Sequence, residues 1–186
     1  MQKQLENTIK ILEKEGTILY PTDTVWGLGC DATNTDAVKK IYQLKQRDDS
    51  KALICLVSDI DMLKKFLKST PTSALDIIST STKPTTIIYD SPIGFAENLI
   101  ASDNTIAIRI PNNEFCKTLI EKFGRPIVST SANISGEPTP KSFKEISAAI
   151  LKDVDYVVNL QSEKTTVKPS TIIKINSDGL VTVIRE

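Results

Sequence analysis

Six apolar residues in succession, Ala52-Leu53-Ile54-Cys55-Leu56-Val57, constrain the fold more than any other segment of this chain. A half-exposed strand alternates apolar with polar residues, so an unbroken run of this length reads as the central strand of a covered sheet. The flanking segments supply neighbours for it. Thr17–Tyr20, Thr85–Tyr89, Thr105–Ile110 and Ile127–Thr130 read as strands, as do Val154–Val158, Ser170–Ile175 and Leu180–Ile184. The last two are joined by the hairpin loop Asn176-Ser177-Asp178-Gly179.

Helical spacing fills the gaps. Leu5, Ile9 and Leu12 share a face before Gly16, and Asn34 or Thr35 can cap a helix carrying Val38, Ile41 and Tyr42. Ser58–Thr80 reads as two short helices divided at Pro71, Asn113–Phe123 as another, and Ser142-Phe143-Lys144-Glu145 as the capping box of a last one. Helices alternate with strands early and hairpins come late. The expectation is an α/β fold in which helices flank a twisted mixed sheet, parallel and antiparallel, with residues 1–186 as a single domain.

Composition narrows the chemistry. There is no histidine among the 186 residues, which removes Ser-His-Asp and Cys-His nucleophile systems and the default general base near neutral pH. Lys+Arg and Asp+Glu both number 23, so bulk charge does not favour nonspecific nucleic-acid binding. Cys30, Cys55 and Cys116 form no Cys-x-x-Cys pair and read as buried reduced thiols. With no spanning apolar run and no signal peptide at Met1–Gly16, the expectation is a cytoplasmic protein away from the membrane. Cations, hydroxyls, amides and backbone groups remain, an inventory suited to phosphate chemistry.

Four polar islands interrupt the pattern. Pro21-Thr22-Asp23-Thr24-Val25-Trp26-Gly27-Leu28-Gly29 follows a strand, where ligands of α/β sheets bind; a plain turn packed under the tryptophan competes evenly. Lys45, Arg47 and Lys51 are three cations within seven residues. They either complement a helix C-terminus or face a polyphosphate. Ser129-Thr130-Ser131-Ala132-Asn133-Ile134-Ser135-Gly136 gathers five hydroxyl or amide side chains after a strand, to hold anionic oxygens or to saturate its own turn. Arg109 shares a strand face with Thr105 and Ala107 and needs a partner. A ligand carboxylate would serve, although a structural Asp or Glu is the commoner one.

In this order the islands resemble the YrdC/TsaC family of threonylcarbamoyl-AMP synthases, in its short single-domain form. The resemblance is carried by Tyr20–Gly29, Leu44–Arg47 with Lys51, Ala107–Pro111, Ser129–Gly136 and Lys168–Ile172. It implies a YrdC-like sheet and a nucleotidyltransferase that joins L-threonine, bicarbonate and ATP with release of pyrophosphate, for tRNA modification. The residues implied as catalytic are Lys45, Arg47, Ser131 and Asn133. Those implied to hold ATP are Arg47, Lys51, Thr105, Asn133, Lys141 and Arg185, and those for threonine are Thr24, Arg109, Ser129, Ser131 and Ser170. Mg²⁺ is expected with the ATP and not from a dedicated carboxylate cage. The implied partners are downstream tRNA threonylcarbamoyl-transfer proteins, with contact to tRNA or double-stranded RNA. A YciO-like RNA-binding protein of the same fold is the alternative.

Three segments depart from the family pattern: Asp48-Asp49-Ser50 after the cations, Thr82-Lys83-Pro84-Thr85 before a strand, and Trp26 in place of tyrosine or phenylalanine.

Overall fold

The structure, a computed structural model, describes residues 1–47, 53–160 and 169–186. Its helices are α1 (Gln2–Glu13), α2 (Thr35–Leu44), α3 (Ile60–Lys65), α4 (Thr72–Thr80), α5 (Glu114–Phe123) and α6 (Ala148–Asp153). Its strands are β1 (Ile18–Pro21), β2 (Trp26–Gly29), β3 (Ile54–Leu56), β4 (Thr85–Asp90), β5 (Thr105–Arg109), β6 (Ile127–Ser131), β7 (Tyr156–Val157), β8 (Thr171–Ile175) and β9 (Val181–Arg185). They form one sheet in the order β7-β1-β2-β6-β3-β5-β4-β8-β9. The pairs β1/β7, β3/β5 and β4/β8 are parallel and the others antiparallel. The apolar run at Ala52–Val57 thus supplies the strand at the middle of a mixed sheet.

The two sheet faces are covered unequally. Leu19, Leu28, Val128, Cys55, Ile106, Ile108, Ile87, Tyr89, Ile173 and Ile175 face a large core with side chains from α2, α3, α4 and α6. On the opposite face Ile18, Tyr20, Ile127 and Leu56 meet Leu5 and Leu12 of α1 and Phe115, Leu119, Ile120 and Phe123 of α5. That second core reaches only one end of the sheet. Over the rest of the face, Ile54, Ile88 and Ile172 stay partly exposed.

Local chemistry places most elements as expected. Asn34 caps α2 by accepting from Ala37 N–H at 2.8 Å, and Asn113 caps α5 through Cys116 N–H. Three expectations need correction. The island Pro21–Gly29 is a turn only in its first part, and Trp26–Gly29 is a strand: Trp26 and Leu28 alternate into the core while Gly27 and Gly29 lie on the other face. Ser142 begins only a 3-10 turn over Phe143–Glu145, because the Glu145 carboxylate accepts from Lys141 N–H at 2.9 Å; Ser147 caps α6 instead. The Val154–Val158 strand contracts to Tyr156–Val157.

Candidate active site on the uncovered sheet face

Because side chains alternate along a strand, paired residues in the register share a face. One such row crosses the uncovered face as Ser129, Ile54, Ala107, Ile88, Lys174 and Thr182. Two residues further along β5 the parallel row contains Leu56 and Arg109, with Thr86, Ile172 and Arg185 continuing it through β4, β8 and β9. In the other direction lie Thr105 opposite Asp90, and Ser131 opposite Gly27. Residues from four motifs far apart in sequence therefore line one surface, whose floor is kept low by Gly27 and Ala107.

At one end stands Arg109, 4% exposed. Its Nη1 donates to Asp23 Oδ1 at 2.5 Å and its Nη2 lies 3.5 Å from Thr24 Oγ1. Asp23 Oδ2 also accepts from Asn112 N–H at 2.9 Å. Arg109 thus has a structural carboxylate, Asp23, as its partner within the chain. Thr22 and Thr24 bond each other, and Thr22 Oγ1 also donates to Val25 O, so the polar turn fixes itself. Ser170 and Thr86 hydroxyls lie 2.7 Å apart nearby. Arg185 donates to Ser170 O from Nε and Nη2, which groups it with this end and not with Thr105.

At the other end α2 closes with a Schellman motif: Arg47 N–H returns to Tyr42 O and Gln46 N–H to Gln43 O, both at 3.0 Å. Gln46 takes φ +47°, a conformation that usually selects glycine. The turn sends Lys45 inward. Its ammonium, 1% exposed, donates to Ser131 O at 2.5 Å and Asn133 O at 2.7 Å, while Lys45 O accepts from Ser135 N–H at 2.8 Å. Desolvation, followed by the Arg47 charge, lowers the Lys45 pKa to about 8. Lys45 is thus bound into the serine-rich loop, and a phosphate cannot be the partner of all three cations. Asn133 Nδ2 donates to Ile134 O and Glu137 O. Its Oδ1 is buried with no hydrogen-bond partner among the described residues.

Thr105, 5% exposed, donates to Asp103 Oδ1 at 2.6 Å, and Lys174 Nζ meets Asp103 Oδ2 at 2.9 Å. Lys141 is exposed, with its backbone N–H on Glu145. Lys51 and the segment Asp48-Asp49-Ser50 lie outside the described residues. The departure at Trp26 has a packing cause, since its ring meets Phe143 at 5.2 Å. All three cysteines are buried, and burial raises their pKa values, that of Cys116 to about 12, so none is a ready thiolate.

Sequence reasoning passed over Asp23, Thr86, Asp103 and Lys174 as site residues. Lys174 carried a usable signal, a cation inside the apolar run Thr171–Ile175, the same signal that singled out Arg109. Asp103 had none, because an aspartate in a turn is ordinary.

The family model described as Sua5/YciO/YrdC, telomere recombination, matches residues 10–186. A threonylcarbamoyl-AMP synthase of Pseudoalteromonas translucida is 34% identical over 174 residues, 92% of this chain and 92% of that protein. The structure of E. coli YciO superposes with a TM-score of 0.86 at 26% identity, covering all of this chain and 90% of YciO. That of P. abyssi Sua5 complexed with L-threonine gives 0.84 at 27% identity and covers 91% of this chain. The chain spans only half the length of that Sua5. No helix among the described residues is long and apolar enough to cross a membrane.

Proposed function

The chain belongs to the Sua5/YciO/YrdC family, and we propose that it is a threonylcarbamoyl-AMP synthase acting on L-threonine, bicarbonate and ATP. The observation that carries this reading is the shared uncovered face, with Arg109 at one end and the Ser131–Asn133 loop at the other. A carboxylate and an α-phosphate of one reacting pair would need that separation of charges on a single surface.

In this reading the threonine carboxylate takes Arg109 donors left over from Asp23, beside Thr24 and Ser170. The free amine attacks bicarbonate, forming a carbamate and releasing water. A carbamate oxygen then attacks the α-phosphorus of ATP, and the bond to the β-phosphate oxygen breaks to release pyrophosphate. The contribution of the Ser131–Asn133 loop is a preset geometry around the phosphorus. Its backbone is held from below by Lys45, so its donors need not reorganise during the reaction. Among the described residues no cluster of three or more His, Cys, Asp or Glu side chains is placed to hold a metal ion. Mg²⁺ would arrive on the nucleotide's phosphates and neutralise the departing pyrophosphate.

The test is pyrophosphate release by the purified chain with all three substrates and Mg²⁺, compared with each single omission. Release that persists without threonine or without bicarbonate refutes the reading. The RNA-binding alternative draws no support from Lys45, because an ammonium spent on two carbonyls does not face a phosphate backbone.

A further inference from the structure

We infer that Asp103 fixes Thr105 as a pure hydrogen-bond acceptor toward the groove, so that Thr105 reads a donor on the nucleoside half of the nucleotide and not a phosphate. This rests on the nucleotide reading proposed above. A threonine hydroxyl has one proton and two lone pairs. The 2.6 Å contact from Thr105 Oγ1 to Asp103 Oδ1 commits that proton, because an ionised carboxylate has none to offer in return. Lys174 holds the second carboxylate oxygen at 2.9 Å and keeps Asp103 charged and in place. The hydrogen bond from Thr105, ahead of that from Lys174, lowers the Asp103 pKa, in line with this assignment.

What remains of Thr105 facing a ligand is lone-pair density. A phosphate oxygen, itself an acceptor, is repelled there. Asp90, paired with Thr105 in the register, adds negative charge on the same side. The donors on ATP are its 6-amino group and its ribose hydroxyls, and these fit. On this side the Lys174 charge is matched by Asp103, and Asp90 leaves the balance negative, whereas across the groove Arg47 follows Lys45 beside the Ser131–Asn133 loop. The nucleotide is therefore oriented with its phosphates toward that loop and its nucleoside toward Thr105.

The alternative is that Asp103 only closes the turn before β5. Nucleotide discrimination separates the two. Pyrophosphate release would be followed with ATP, ITP, which lacks the 6-amino group, and 2′-deoxy- and 3′-deoxy-ATP, in the wild type and in Asp103→Asn, Thr105→Val and Thr105→Ser. Wild-type release from ATP is the control, and its absence refutes the functional reading itself. With that control met, the wild type should prefer ATP over one of the analogues by about tenfold or more in kcat/KM. The disfavoured analogue identifies the donor as amino or hydroxyl. Asp103→Asn and Thr105→Val should each reduce that preference to about twofold or less with the threonine KM unchanged, and Thr105→Ser should retain it. The inference is overturned if the wild type shows no such preference. It is equally overturned if the preference survives both variants, or if all four nucleotides lose activity in proportion, as a turn-closing role would require.

Discussion

The ammonium of Lys45 lies 2.7 Å from the carbonyl oxygen of Asn133 and ties the end of α2 to the loop after β6. Two chain segments nearly ninety residues apart are thereby held by one buried cation, which also donates to Ser131 O.

Replacing Lys45 by methionine leaves both carbonyls without that donor. The expected cost is about 1–3 kcal/mol of stability in denaturant unfolding. Turnover should fall more steeply than threonine affinity, because the loop loses its support. An unchanged kcat would show that the loop holds its shape without the lysine.

The same residue sets a pH dependence. Its folded pKa is about 8 against 10.5 unfolded, so between those values the unfolded chain binds the extra proton. Stability rises with pH wherever the unfolded state binds more protons. Between pH 8 and 10 the wild type should therefore gain stability relative to Lys45→Met, as read by parallel urea titrations. A loss over that window would mean that the two carbonyls outweigh desolvation.

Arg109→Ala removes the charged partner of Asp23, whose side chain is 8% exposed and which keeps its bond from Asn112 N–H, and should destabilise the fold by about 1–3 kcal/mol. Threonine recognition is better read in Arg109→Lys, which keeps the charge but loses the planar fork. Threonine binding should weaken by at least about tenfold while ATP binding shifts by less than about twofold. Calorimetry with each ligand separately checks this, and equal losses would remove Arg109 from the threonine end.

Gln46→Gly relieves a left-handed backbone at the end of α2 and should raise stability by about 0.5–1 kcal/mol. Thermal unfolding reads the difference.

Gly29→Ala should be costly, by about 2–3 kcal/mol, since a Cβ there would lie 2.5 Å from Val128 O and 2.8 Å from Tyr20 Cε1. At Gly27 the nearest atom is 3.3 Å away and the change should be tolerated in stability. Comparable losses at both positions would refute the difference in crowding.

The central strand, the Asn34 cap and the paired short helices were legible in the sequence because each shows in a pattern that spans only a few residues. Trp26–Gly29 was not, because its strand period is written with glycines, which read as a turn until neighbouring strands are known to crowd them. Ser142 misled for a related reason: its glutamate chose the amide of Lys141 over the one that a capping box would use. Within the site, the exposed sheet face could be anticipated for Thr105 and Arg109 from alternation alone. The tasks of Lys45 and Asp103 could not. A buried lysine and a solvated one look alike in sequence, and an aspartate acquires its meaning from the hydroxyl that donates to it.

The rows across the uncovered face also bear on how the protein is made. Ile18 of β1 lies beside Tyr156 of β7, and Thr85 of β4 beside Thr171 of β8. Parallel pairings of such sequence separation form slowly, because loop closure must precede the contacts that reward it. A nascent chain released only as far as β6 lacks the Lys174 side of the groove. Any ligand that touches both β6 and Lys174 therefore meets its full site only after nearly the whole chain has been made.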